Sequence, residues 1–367
     1  MEKKSLLKKV ASFGFVANKQ ALDKLSNLPA NLVEKILQMA RKRTKKPFLT
    51  GEIIDKLTKE VREKDKIDIK VEVLSGDKIK KKIEINDVVN YLLRRYQKIS
   101  SFLSNRIELT NLLSIGKVKG KINNFSVIGL VREVDKVKGR ILLEDPTGQI
   151  EIFFEDPNEL KFIVPDEVIG VFCARKGSFF VGKRIVFPDV PVRKQIKRTN
   201  KKLYILFVCD ADMYEKQAKD KIKETVKNNA TIVVGFGSSE KILKEMKEYA
   251  LEAISINKKG SLVKIQVNGV KIFCLYKDPI EKYSEIFGTD SVEALNQLLR
   301  KRHLDPVFNF NFLDEAFLLE EEPDILAVGG VSPGIKNYKG ITLIACNKNI
   351  GWIIDLSTRE SLKLEVG

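Results

Sequence analysis

Histidine is the scarcest chemistry in this sequence: 367 residues contain one, His303. Dinuclear hydrolytic centres for borderline metals such as manganese or iron are built from several imidazoles alongside carboxylates, so a site of that kind lacks its donors here. His303 itself stands at a basic helix end, ahead of Leu304 and Pro306, a poor position for a ligand. Cysteine is nearly as scarce. Cys173, Cys209, Cys274 and Cys346 lie far apart, each inside or beside an apolar strand-like run. That spacing matches neither a zinc motif nor a disulfide framework and reads as buried free thiols in a reducing cytosol. Long hydrophobic runs are missing too. None follows Met1-Glu2-Lys3-Lys4, and none elsewhere is long enough to cross a bilayer, so a soluble, unsecreted, cytoplasmic protein is expected.

Positive charge is what the sequence has in excess. Lys and Arg number 66 against 49 Asp and Glu, a net charge of +17. The ratio is 25 to 13 over residues 1–100, 17 to 12 over 101–200 and 24 to 24 over 201–367, which places the whole excess in the first 200 residues. A phosphate-binding footprint is concentrated in this way, so any nucleic-acid contact belongs to the N-terminal half. A Lys-, Ile- and Asn-rich composition arising from genome bias or heat adaptation produces the same excess with no ligand, and both readings stand at this level.

The chain is longer than one hydrophobic core usually serves, so two or three domains are expected. Residues 1–62 read as a small helical module. Leu6, Leu7 and Val10 share a face, Gly14 interrupts, Asn18 starts a helix carrying Ala21, Leu22 and Leu25, and Asn31 heads another with Leu32, Val33, Ile36 and Leu37. Thr50 caps a short helix with Ile53, Ile54 and Leu57. Between them, the run Arg41-Lys42-Arg43-Thr44-Lys45-Lys46 either meets phosphates or is a solvated helix end. Residues 63–104 read as a linking region: a charged tether at 63–66, a hairpin turning at Ser75-Gly76-Asp77, and a helix capped by Asn86 whose stripe runs from Val88 to Leu103.

Residues 105–195 carry the densest β signal. Between 126 and 192 short Val-, Ile- and Phe-rich runs are separated by Asp145-Pro146-Thr147-Gly148 and Lys176-Gly177-Ser178, with a brief helical piece before Val164. Three strands, a short helix and two strands is the order of an OB barrel, a fold that binds single-stranded nucleic acid or partner proteins. Arg193, Lys194, Lys197, Arg198 and Lys201 follow in an exposed connector. They are the candidate DNA contacts, although a plain linker explains them equally. No aromatic interleaves them, so base stacking would have to come from Phe153, Phe154, Phe172, Phe179 and Phe180 of the barrel, several of which must be core.

Residues 196–367 alternate strands and helices: strands at 203–209 and 231–234, a helix through Met246 and Leu251, and a hairpin about Asn268-Gly269. Helices cover 280–302, and strands return at 325–328, 341–346 and 352–356. Loops at the carboxyl ends of such strands are where α/β domains place chemistry.

A specific resemblance emerges from several of these stretches together. They are Asp166-Glu167-Val168-Ile169-Gly170-Val171 with Arg175-Lys176-Gly177, then Arg184-Ile185-Val186-Phe187-Pro188-Asp189-Val190-Pro191, then Leu298-Leu299-Arg300-Lys301-Arg302-His303-Leu304-Asp305-Pro306. Pro323-Asp324-Ile325-Leu326 and Asn337-Tyr338-Lys339-Gly340 complete the set. In this order the sequence resembles the small (B) subunits of archaeal DNA polymerase D and their relatives in eukaryotic replicative polymerases. The helical start resembles the family's N-terminal module more weakly. The resemblance implies an α+β multidomain protein with a helical module, an OB barrel and a calcineurin-like phosphoesterase domain. Archaeal members of that family are manganese-dependent 3′–5′ exonucleases whose metals are held by D-x-H, G-D, G-N-H-D, a separate His and G-H-x-H.

Against that pattern Asp210 occupies the first Asp, while Asp212 replaces the His. No clear G-D loop is found. Gly237-Ser238-Ser239-Glu240 resembles a degraded G-N-H-D, placing Ser239 and Glu240 at ligand positions, unless it occupies the G-D position instead. Lys277 falls near the lone His, and Gly329-Gly330-Val331-Ser332 falls where G-H-x-H belongs, at Gly330 and Ser332. Asp210, Asp212 and Glu240 would bind Mg²⁺ or Mn²⁺ weakly at most.

The expectation is therefore an inactive phosphoesterase scaffold, with no catalytic residues, no metal ligands, no cofactor and no activity of its own. It would serve as an accessory subunit of a replicative DNA polymerase heterodimer, holding the large catalytic subunit and meeting DNA directly or through the complex. Two alternatives remain: an active exonuclease of the same family, and a free-standing OB-type single-strand-binding protein.

Overall fold

A computed structural model describes residues 3–28, 30–43, 47–65, 67–74, 84–118, 122–193, 195–229, 231–308 and 315–365. It divides into two compact units, Met1–Asp68 and Ile69–Gly367.

The first unit is helical. It contains α1 (Lys3–Ser12), α2 (Lys19–Ser26), α3 (Ala30–Arg43) and α4 (Gly51–Asp65), with a two-residue parallel pairing of β1 (Val16–Ala17) and β2 (Phe48–Leu49). Asn18 caps α2 by accepting from the Ala21 N–H at 2.8 Å, and a core of Leu6, Val10, Leu25, Ile36, Leu37 and Ile54 closes the unit. Helix α4 runs on through Asp65, so the charged residues 63–65 are its last turn and not a tether. The end of the basic run, residues 44–46, lies outside the described residues.

The second unit begins with β3 (Ile69–Val73) and α5 (Ile85–Leu103). The turn and return strand expected at 75–83 lie outside the described residues. Helix α5 starts two residues earlier than expected, because Glu84 forms a capping box: its own N–H donates to Asp87 Oδ2 at 3.1 Å. Then come β4 (Asn124–Asp135), β5 (Arg140–Asp145), β6 (Gly148–Phe153), β7 (Val168–Lys176) and β8 (Phe179–Val186). They form a closed barrel in the order β4-β5-β6-β8-β7, sealed where β6 pairs parallel with β8. The Asp145 turn holds because Oδ1 accepts from Thr147 N and Oγ1 at 2.7 and 2.6 Å. Ile99 and Leu103 of α5 pack on the barrel wall with Leu109, Ile128, Leu130, Val168 and Val186.

The rest of the chain is two sheets with flanking helices. Here run β9 (Tyr204–Cys209), α6 (Lys216–Asn228), β10 (Thr231–Phe236), α7 (Glu240–Met246) and β11 (Glu252–Ile256). They are followed by β12 (Leu262–Val267), β13 (Val270–Tyr276), α8 (Ile280–Phe287) and α9 (Ser291–Arg300), then β14 (Ile325–Gly329), β15 (Gly334–Tyr338), β16 (Ile341–Cys346), β17 (Ile350–Asp355) and β18 (Ser361–Glu365). One sheet is ordered β11-β10-β9-β17-β18 and the other β15-β16-β14-β13-β12-β3. Helices α6 and α7 bury Ile222, Val226, Leu243 and Met246 against the first sheet, whereas α8 and α9 bury Tyr283, Phe287, Leu295 and Leu299 against the second. The sheets meet through Gly329, where a Cβ would lie 2.1 Å from the Phe236 ring, and through Trp352, whose indole N–H donates to the Ala345 carbonyl at 2.9 Å. Helix α7 stops at Met246 and Leu251 leads into β11 instead of ending a helix.

Candidate functional site

The loops after β9, β10, β13 and β14 converge. A Cβ on Gly237 would stand 2.3 Å from Asp210 Oδ1 and 2.7 Å from the Tyr276 hydroxyl, and one on Gly330 would stand 2.7 Å from Lys277 Cγ. Gly237 has φ +61°, so this close, left-handed turn admits little but glycine. The strand ends thus bring together Asp210, Tyr276, Lys277, Gly237 and Gly330.

The carboxylates there are engaged by the protein. Asp210 adopts φ +51°, donates its N–H to Phe236 O at 2.9 Å, and accepts the Ser238 N–H on Oδ1 at 2.9 Å. Its Oδ2 faces the Cys209 thiol at 3.5 Å. Asp212 accepts from Ile242 N at 2.9 Å and Lys241 N at 3.1 Å, which makes it the acidic stop on the first turn of α7. Ser239 is fully buried, donating to Phe236 O and accepting from Ala211 N at 2.8 and 3.0 Å. Exposed Glu240 accepts from Asn257 at 2.6 Å, and Ser332 is exposed.

Among the described residues no three His, Cys, Asp or Glu side chains converge as metal ligands. The donor set does not fit a dinuclear metal pair: one carboxylate caps a helix, the other is bonded to backbone, and the Lys277 cation acts on the same Cys209 thiol as Asp210 does. A thiolate is no substitute. Burial, followed by the Asp210 charge, pushes the Cys209 thiol up to about 12. Burial and the same carboxylate also raise the Tyr276 phenol. His303 is only 2% exposed, accepts the Asp305 N–H on Nδ1 at 3.1 Å, and is held well below the usual imidazole range by burial and by Arg95.

The connector residues part company. Arg193 is half-buried and turned inward onto Asp324, with a second bond to Pro323 O at 2.8 Å. This corrects its placement among exposed contacts. Lys194 lies outside the described residues, Lys197 and Arg198 are exposed, and Lys201 is half-buried. Of the barrel aromatics, Phe154 is core, whereas Phe153 and Phe179 meet edge to face at 6.2 Å with Phe179 47% exposed. Lys176 and Lys183 stand nearby, joined through Glu155 at 2.6 and 3.3 Å. This basic, aromatic surface of β6, β7 and β8 was hidden in the sequence, because which strand face looks outward depends on how the barrel closes.

A third cluster ties the barrel to the two-sheet part. Lys301 Nζ donates to Glu167 Oε2 at 2.5 Å, with the two side chains 1% and 2% exposed. Asp189 Oδ2 accepts from Tyr338 Oη at 2.9 Å and Lys339 Nζ at 2.8 Å, and Asp166 Oδ2 accepts from Phe308 N at 3.0 Å. Arg95 of α5 donates to the Asp166 and Pro306 carbonyls.

No protein-family model matches the chain. The DNA polymerase II small subunit of Archaeoglobus fulgidus is 23% identical over 343 aligned residues, covering 71% of this chain and 70% of that protein. The proteins of the same name from Methanothermobacter thermautotrophicus and Pyrococcus furiosus are 34% and 32% identical over 135 residues, spanning 27% and 22% of their own lengths. All three of these similar proteins are archaeal DNA polymerase II small subunits. The stretches on which the sequence resemblance was read supply much of the third cluster. Asp166, Glu167, Asp189, Lys301, Pro306, Tyr338 and Lys339 all make contacts that hold the barrel against the layered part.

Proposed function

We propose that the chain is a non-catalytic accessory subunit of a replicative DNA polymerase, built as a helical module (residues 1–62), a linking region (63–104), an OB barrel (105–195) and a calcineurin-like phosphoesterase scaffold (196–367) that has lost its metal site. The barrel's strand order and the two stacked sheets with paired outer helices support that division. The observation that carries the reading is the state of the strand ends, where Asp212 caps α7, Asp210 accepts a backbone N–H, and Asp210 and Lys277 act with opposite sign on the same Cys209 thiol. Its partner is the large catalytic subunit, and its place is the cytoplasm. No described helix is long and apolar enough to span a membrane.

Purification from the native cell tests this directly: the large polymerase subunit should co-purify stoichiometrically, and the isolated chain with Mn²⁺ should leave a 3′-labelled strand intact. Shortening of that strand would favour an active exonuclease. The exposed Phe179, with Phe153, Lys176 and Lys183, favours a second role for the barrel in holding a single strand. Tight, steeply salt-dependent binding by the chain alone, with no large partner recovered, would make that role the principal one.

A further inference from the structure

The two compact units differ in charge. Met1–Asp68 carries 17 Lys and Arg against 9 Asp and Glu, a net charge of +8, whereas the far longer Ile69–Gly367 carries 49 against 40, a net charge of +9. Acidic residues make up 13% of each unit, while basic ones make up 25% of the first and 16% of the second. A genome-wide or thermal enrichment in lysine would act on both alike, so the extra charge belongs to the helical unit itself. Ion pairs inside the unit, such as Lys9 with Glu34 and Lys24 with Asp55, leave that net charge untouched. So small a body with so large an excess surrounds itself with a field that attracts polyanions.

The same unit holds out an aromatic ring. In its two-residue parallel pairing Val16 stands opposite Phe48 and Ala17 opposite Leu49. Successive side chains of a strand point to opposite faces, and Leu49 is in the core at 1% exposure, so Phe48 points away from that core. Phe48 is 63% exposed and its neighbour Val16 58%. The Val16 N–H donates to Pro47 O at 2.7 Å and the Asn18 N–H to Leu49 O at 3.1 Å, which fixes the backbone beneath the ring. Cations flank this platform along the chain. Lys19 opens α2 just after β1, and Arg41 stands in the last turn of α3, the helix before β2; both are exposed.

We propose that the helical unit binds single-stranded nucleic acid, with a base stacked on Phe48 and backbone phosphates held by the unit's cations, Lys19 and Arg41 among them. An exposed ring face accepts any base, and it does so only where bases are unpaired, which favours a single strand over a duplex. An acidic protein segment would answer the charge but leave the ring without a stacking partner. The surface shares no residue with the Phe153 and Phe179 surface of the barrel, and it does not depend on whether the strand-end loops are inactive.

Fluorescence anisotropy of the full chain with a labelled oligo(dT) tests this, with the oligo(dT)–oligo(dA) duplex and polyaspartate as competitors. Saturable binding is expected, weakened about fivefold or more by Phe48→Ala. Arg41→Glu should weaken it as well and flatten its dependence on salt. Both side chains are exposed, so neither change should unfold the protein, and thermal midpoints report that the fold is intact. Phe179→Ala, measured alongside, reports the barrel's part separately. The proposal is overturned by no saturable binding of the oligonucleotide, by wild-type affinity in Phe48→Ala, or by equal competition from the duplex. Equal competition from polyaspartate also overturns it, and would make the surface one for an acidic protein segment.

Discussion

The strand-end loops and the contacts between barrel and layered sheets use the same side chains for opposite purposes. At the strand ends, carboxylates that would serve chemistry in a hydrolase are occupied by backbone N–H groups, as with Asp210 on Ser238 and Asp212 on α7. Between barrel and sheets, carboxylates meet cations out of water, as with Glu167 and Lys301. Desolvation raises the Glu167 carboxyl and lowers the Lys301 ammonium, so the pair is costly to bury and costlier still to break. The buried Glu167–Lys301 pair thus holds two bodies of structure in place, whereas the carboxylates at the strand ends hold their own loops.

The sharpest way to break the comparison is at that pair. Lys301→Met alone should cost about 3–5 kcal/mol in chemical denaturation, because it leaves Glu167 buried without a partner, and the double variant with Glu167→Gln should recover most of the loss. If the single and double variants are equally unstable, packing and not charge holds the contact.

Next in size is the response to alkali. The buried thiols Cys173 and Cys209 are each pushed up to about 12 by burial, from an ordinary value near 9. A raised pKa in the folded state means the stabilisation is whole below about pH 9 and is lost as pH climbs towards 12. Each such thiol should contribute a loss of up to about 1.4 kcal/mol per pH unit in that window. Thermal midpoints measured from pH 8 to 11 should fall, and Cys209→Ala should fall less steeply.

Smaller still, Asp212→Ala should lower stability by about 1 kcal/mol through loss of the α7 stop, and its effect should be independent of added Mn²⁺. Smallest of all, Asp210→Asn should leave Mn²⁺ titrations indistinguishable from wild type. Tight manganese binding lost in that variant would reverse the contrast between the two regions.

Local chemistry explains how much was legible beforehand. The Asn268-Gly269 hairpin was readable because both residues take positive φ, +47° and +87°, in a two-residue turn. The barrel strands showed through their turns at Asp145 and Gly177. Strands β11, β15 and β18 were missed because they are short and lie at sheet edges, where half-exposed residues blur the apolar pattern. Asp212 stood out in the sequence as a residue in place of a metal-binding His, but its capping of a helix nearly thirty residues on could not be seen from its neighbours. The same holds for Glu167 and Lys301, which are 134 residues apart. Arg193 looked exposed because its surroundings are polar, and only the fold brings Asp324 to it.

Strand β3 closes one edge of a sheet whose other members all come from the last third of the chain, pairing Ile69 with Val267 and Val73 with Val263. During synthesis it therefore emerges long before anything exists for it to pair with, and it must wait with its ladder groups and apolar side chains open to other chains. The lysine and glutamate that alternate along it, Lys70 and Glu72, keep that waiting segment from sticking to its own copies, so a newly made chain reaches its final sheet instead of an aggregate.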